Sequence, residues 1–226
     1  MYTYTVGGGA GGKKKTLRQT GLTVCIVLWC VRLGTFLYSR MLRDGKDSRF
    51  DNVKKDKWRF AFYWTLQGLW NIIVGLPVYV SNVYVDAGGS ALNIIDYIGF
   101  ALFVLGFLVE IVSDYQKLKF RSISSNKEKY ICSGMWSISR HPNYFGEILL
   151  WVGIFIVSSN TYSVPGQYIC VLSPLLTAFL LVFVSGIPLL ENHSNEKFGK
   201  LDEYKKYKET TPVLIPFIGR RGDAKF

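Results

Sequence analysis

The chain has 226 residues, of which 49% are hydrophobic, and a mean hydropathy of +0.18, which is too apolar for an ordinary soluble domain. Its formal net charge is +11, yet no aromatic-basic nucleic-acid module is visible, so the basic surface is not read as binding nucleic acid. Two histidines are too few for a His-rich metal centre, and the four cysteines form no CxxC pair, so neither a zinc site nor a disulfide framework is supported.

In chain order, residues 1–20 contain "VGGGAGGKKK", a Gly/Lys-rich stretch read as a disordered leader. It lacks the signal-peptide order of a basic start, an apolar run and a small-residue cleavage site. Residues 21–226 are read as one membrane domain, because a window of about 20 apolar residues spans a bilayer. Windows at 60–80, 92–112, 144–158 and 167–190 predict four transmembrane helices. A fifth, at 22–38, carries Arg32 and is flanked by basic residues on both sides. The predicted fold is an all-α, multi-pass transmembrane helical bundle of four to five membrane helices.

Lys and Arg crowd the stretches 40–59, 117–140 and 197–225, whereas 81–91 and 159–166 contain none. Basic loops face the cytosol, which puts the long loops and the C-terminus on the cytosolic side.

Four groups of polar residues then stand out on that side. In "EIVSDYQKLKFR", Glu110, Asp114, Lys117 and Arg121 follow i, i+4, i+7, i+11 and so share a helical face. A solvated salt-bridge stripe explains the cations there, but an acid inside the apolar run, as Glu110 is, normally faces a polar cavity or partner. In "SRHPNYFGEILLWVG", Pro142 suits the first turn of a helix, whose N–H groups and positive dipole end would face Arg140 and His141. That makes an anion site. Asn143 and Glu147 are i, i+4: an amide for a carboxamide, and an acid for a ribose hydroxyl or for Arg140. A capped helix start with interfacial Arg140 and Tyr144 is the plain alternative, which leaves Glu147 unexplained.

In the tail, Glu191 ends the last apolar window, and Tyr204 and Tyr207 lie three apart on an amphipathic stretch whose lysines suit an interfacial helix. Tyr38, in "RLGTFLYSRM", puts a phenol near a membrane boundary. Together these groups offer anion-binding, amide-binding and acidic parts, as a dinucleotide such as NADPH requires. With no GxGxxG fingerprint, the site would not be a Rossmann site.

The segments "EIVSDYQKLKFR", "GMWSISRHPNYFGEILLWVG" and "EKFGKLDEYKKYKETTPVLIPF" resemble the family of membrane proteins with a steroid 5-alpha-reductase-type C-terminal domain, including its subgroup of uncharacterised function. "VRLGTFLYSRMLRDGKDSRF" and "FYWTLQGLWNIIVGLPV" resemble the same subgroup, so the likeness covers roughly residues 28–217. It implies an all-helical membrane fold that holds NADPH at the cytosolic side, in the endoplasmic reticulum. Asp114, Arg121 and Asn143 match cofactor positions. Glu110 stands where 5-alpha-reductases carry Asn, and Tyr204 lies in the matching tail.

The expected activity is reduction of a carbon–carbon double bond in a steroid-like or other lipid enone or enoyl substrate, as an oxidoreductase acting on a CH–CH group with NADP. Tyr38 and Glu147 are the candidate catalytic residues. Lys117, Arg121, Arg140 and His141 would hold phosphates, while Asp114, Asn143, Tyr144, Glu147 and Glu191 would shape the ribose and nicotinamide ends. The expected partners are a lipid substrate and the bilayer, with no nucleic acid and no metal.

Two alternatives stay open. The Arg-His-Pro-x-Tyr motif also resembles isoprenylcysteine carboxyl methyltransferases and related lipid methyltransferases, which use S-adenosylmethionine. And because reductases of this type carry further helices upstream, where this chain has its leader, a non-catalytic membrane relative is the third reading.

Overall fold

The computed structural model describes residues 15–44, 56–84, 91–126 and 128–218. Most of the expected leader, the centre of the first basic loop and the last residues of the tail lie outside them. The described part of 1–20 is helical from Leu17 onward. Every described regular element is a helix: α1 (Leu17–Asp44), α2 (Lys57–Val83), α3 (Ile94–Ser122), α4 (Pro142–Ser159), α5 (Leu172–Phe179), α6 (Ile187–Phe198) and α7 (Asp202–Thr210), with short 3-10 and π turns between them.

Among the described residues, four segments are long and apolar enough to cross a membrane: Leu17–Leu42, Ile94–Ser122, Pro142–Ser159 and Pro165–Phe198. The N-terminal window is thus one of the four, while α2 is not. α2 is long enough at 27 residues, but Gln67 and Asn71 interrupt its apolar run. The window at 167–190 is not one smooth helix. It runs as a 3-10 segment, α5 and a π turn at Leu180–Val184, closed by Ser185 N–H to Leu180 O at 2.8 Å. The chain then restarts as α6 with Pro188 in its first turn, which sets the phase of Glu191.

The chain divides into two compact units. The first comprises Met1–Phe100 and Gly153–Leu176. Asp56 caps α2, accepting from Trp58 N–H at 2.9 Å. Asn93 and Asp96 cap α3 reciprocally: Asn93 Oδ1 accepts from Asp96 N–H at 3.2 Å and Asp96 Oδ2 from Asn93 N–H at 2.8 Å. Arg18, 1% exposed, meets Asp96, 0% exposed, through two 2.7 Å bonds from Nε and Nη2. Asn160 adds a third side-chain donor to Asp96 at 2.9 Å.

The second unit comprises Ala101–Val152 and Thr177–Phe226. Here α3 and α4 touch through glycine. A Cβ on Gly106 would come within 2.6 Å of Gly146 O, and one on Gly146 within 2.6 Å of Gly106 O. The close approach seats the first turns of α4 directly on Glu110 and its neighbours. Tyr130, Phe198, Tyr204 and Tyr207 form an aromatic cluster beneath the tail.

Candidate functional site

The polar groups of the second unit converge on the N-terminus of α4. Two devices hold that terminus. Trp136, in a 3-10 turn, donates from its indole to Ser113 O at 3.1 Å, and its own carbonyl accepts from Tyr207 Oη at 2.6 Å. That turn begins at Gly134, which has φ 62° and lies so close to Gln116 that a side chain would collide with it. The tail then straps the next residues: Arg140 N–H donates to Pro212 O at 2.8 Å, Ser139 Oγ to Leu214 O at 2.7 Å, and Phe217 N–H to Ile138 O at 3.3 Å.

At this mouth, Glu191 of α6 is the hub. Its Oε2 accepts from Arg140 Nη1 at 2.9 Å and faces Lys208 Nζ at 3.4 Å. Its Oε1 lies 3.0 Å from His141 Nε2. Tyr144 stacks on the His141 ring, with centroids 5.5 Å apart and planes 6° from parallel. On the other side of the turn, Asn143 Nδ2 donates to Asp114 Oδ1 at 3.3 Å. Lys117 sits over the Trp136 ring at 4.8 Å. Further along α4, Glu147 accepts from the Trp151 indole at 2.8 Å.

Three buried side-chain atoms in this group have no hydrogen-bond partner among the described residues: Asn143 Oδ1, His141 Nδ1 and Arg140 Nε. Thr211 Oγ1, on the strap, is a fourth. Buried polar atoms are nearly always bonded, so these open ones take a further partner, water or a ligand. Burial holds the His141 pKa below its usual 6.5; the Glu191 hydrogen bond opposes this, and the charges of Lys117 and Arg140 reinforce it. Burial also raises the Tyr204 and Tyr207 phenols above their usual value, so both keep their protons.

Arg140, His141, Tyr144 and Glu191 are thus one cluster, and Asp114 of α3 with Asn143 of α4 is another beside it. The simple anion site read from the sequence differs in one respect: Glu191 already neutralises Arg140. Tyr204 is 3% exposed and packs into the aromatic cluster. Arg121 is exposed near the end of α3. Tyr38 is 59% exposed on α1, in the other unit. Sequence reading missed Lys208, which looked like any interfacial lysine, and Trp136 and Thr211, which carry no charge signal. Among the described residues, no group of three or more His, Cys, Asp or Glu is placed to hold a metal.

The chain is 26% identical over 181 residues to a probable 7-dehydrocholesterol reductase of Acanthamoeba polyphaga mimivirus, an alignment covering 70% of this chain and 37% of that protein. It is 31% identical over 121 residues to 3-oxo-5-alpha-steroid 4-dehydrogenase 1 of Macaca fascicularis, covering 54% and 40% of the two chains. The human protein of the same name is 30% identical over 121 residues, covering 54% and 41%. The chain therefore spans about two fifths of the length of these curated relatives. No solved structure matches it. The family described as "Protein of unknown function (DUF1295)" matches residues 2–211, nearly the whole chain, and the protein belongs to that family.

Proposed function

We propose that the protein is a membrane reductase of a steroid-like or other lipid substrate, with NADPH as cofactor and a carbon–carbon double bond as target. The observation that carries this reading is Asn143: its amide nitrogen is anchored on Asp114 and its buried Oδ1 has no protein partner. The names of the relatives, a probable sterol reductase and a steroid dehydrogenase, support the substrate class.

The residues suit a dinucleotide. Asn143 and His141 offer buried acceptors, Tyr144 and His141 a stacked face, and Lys117 and Arg121 cations for phosphate. NADPH, when bound, would supply the hydride. The chain's own part is to orient the ring, exclude water and deliver a proton. Glu147, held by Trp151, and Tyr38 are the candidates for polarising the substrate or supplying that proton. Tyr38→Phe should lower kcat by at least about tenfold with NADPH affinity unchanged; equal loss in Glu147→Gln alone would transfer the role to Glu147.

The Arg140, His141, Tyr144 and Glu191 cluster also suits the second reading, an S-adenosylmethionine-dependent lipid methyltransferase, since those residues form one group here. Equilibrium binding of NADPH and of S-adenosylmethionine to the detergent-purified chain separates the two. NADPH binding that Asn143→Ala weakens by about tenfold or more is expected, the cost of one buried hydrogen-bond partner. Binding of S-adenosylmethionine alone would replace the reductase with the methyltransferase, and binding of neither would leave a non-catalytic relative.

A further inference from the structure

Glu191 uses its two oxygens differently. Oε2 takes Arg140 at 2.9 Å and Lys208 at 3.4 Å, whereas Oε1 takes only the His141 ring, at 3.0 Å. Two cations keep the carboxylate ionised, so Oε1 can only accept, and the proton of the neutral imidazole must sit on Nε2. Nδ1 is then a bare lone pair. It is buried, in a residue 4% exposed, and no protein atom donates to it. The same logic fixes Asn143. Asp114 accepts, so the amide NH2 turns toward it, and Oδ1 is left as a second buried acceptor.

We infer that Glu191 sets the tautomer of His141, and that His141 Nδ1 and Asn143 Oδ1 are acceptors for N–H or O–H donors of an uncharged ligand group, such as a carboxamide or a sugar hydroxyl. His141 and Asn143 therefore do not hold phosphate. Two acceptor lone pairs would repel phosphate oxygens, and Arg140, the nearest cation, already faces a carboxylate. The groups facing His141 are Glu191 and Lys208 from the tail, Lys117 from α3, and Arg140 and Tyr144 from its own segment. Phosphate recognition falls to Lys117 and Arg121. This division rests on the reading of the site as a dinucleotide site, but the tautomer does not.

The chain has two histidines, and His193 is exposed on α6. His193→Gln, with 15N-histidine labelling of the full chain in detergent, leaves His141 as the one imidazole seen by NMR. The expected spectrum shows Nε2 protonated and Nδ1 bare. Nicotinamide mononucleotide should move the Nδ1 signal, and adenosine 2′,5′-bisphosphate should not.

The isosteric Glu191→Gln variant gives the sharper test. Its carbonyl oxygen should stay with Arg140 and Lys208, which turns the amide NH2 toward His141. The ring must then carry its proton on Nδ1. Nicotinamide mononucleotide affinity should fall about tenfold, the cost of a donor facing a donor, with adenosine 2′,5′-bisphosphate affinity unchanged. A protonated Nδ1 in the parent, or an unaltered tautomer and affinity in Glu191→Gln, overturns the inference. NADPH binding measured on the same samples separates the two ideas. Tight NADPH binding with an unmoved Nδ1 signal sinks the inference and spares the reductase. Absence of NADPH binding beside a shift caused by S-adenosylmethionine sinks the reductase and keeps the acceptor pair.

Discussion

Each unit holds an ion pair between distant parts of the chain, fully buried in the first and half-buried in the second, and the two pairs are finished differently. Around Asp96, both carboxylate oxygens are used: Oδ1 by Arg18 and Asn160, Oδ2 by Arg18 and the Asn93 N–H, with Arg18 Nη2 also reaching Ala91 O at 3.1 Å. Around Glu191, the carboxylate is equally well served, but its partners are not, since Arg140 Nε and His141 Nδ1 have no protein acceptor or donor. Low dielectric makes a complete network rigid and an incomplete one costly. The first arrangement therefore reads as structure, and the second leaves polar atoms open to a further partner, water or ligand.

Variants can break that contrast. The largest effect is expected from Asp96→Ala, which strands Arg18 in the interior and should cost about 3–5 kcal/mol of stability. Thermal unfolding in detergent measures it. Arg18→Leu together with Asp96→Leu should recover most of that loss, because the cost lies in the unpaired charge. A double variant as unstable as the single one would mean the pair holds the fold by more than charge.

Next, Gly146→Ala should cost about 1–3 kcal/mol, since the new methyl collides with Gly106 O and the backbone of Glu110. It should also weaken NADPH binding, because Glu110 and the α4 mouth must shift apart. An unchanged affinity would detach the glycine contact from the site.

By contrast, Asn143→Ala should cost only about 1 kcal/mol of stability, the one long hydrogen bond from its Nδ2 to Asp114, while reducing NADPH affinity through loss of the open Oδ1. A large stability loss would reclassify Asn143 with the Asp96 network.

The smallest effect is a pH dependence. His141 has a lowered folded pKa, so below about 6.5 the unfolded chain binds a proton that the folded chain refuses. Stability from this group is intact above that value and declines as pH falls toward the folded pKa. His141→Phe should flatten the decline, and chemical unfolding at stepped pH reads it.

Much of this was legible in the sequence because membrane spans and helical faces are local properties. The i, i+4 spacings placed Glu110 with Asp114, and Asn143 with Glu147, on shared faces of single helices. The break at Leu180–Val184 was not legible, as the window there is uniformly apolar and a π turn follows from packing. Long-range pairings were hidden for the same reason. Arg18 stands just before one apolar window and Asp96 inside another, and only their meeting explains either. Glu191 was noticed for lying at the end of an apolar window, but nothing local says that Lys208, seventeen positions on, turns back to it. Tyr204 looked available on an amphipathic stretch, yet a ring cluster with Tyr130 and Phe198 takes it into the interior.

The strap from Pro212, Leu214 and Phe217 to residues 138–140 has a consequence for biosynthesis. A ribosome makes the mouth of α4 some seventy residues before it makes the segment that fastens it. During that interval the spans can insert, but Arg140 and Ser139 have no backbone carbonyls to meet. Fastening of the mouth is thereby postponed until residues 212–217 have been made, and a nascent chain halted before Thr211 would occupy the membrane without it.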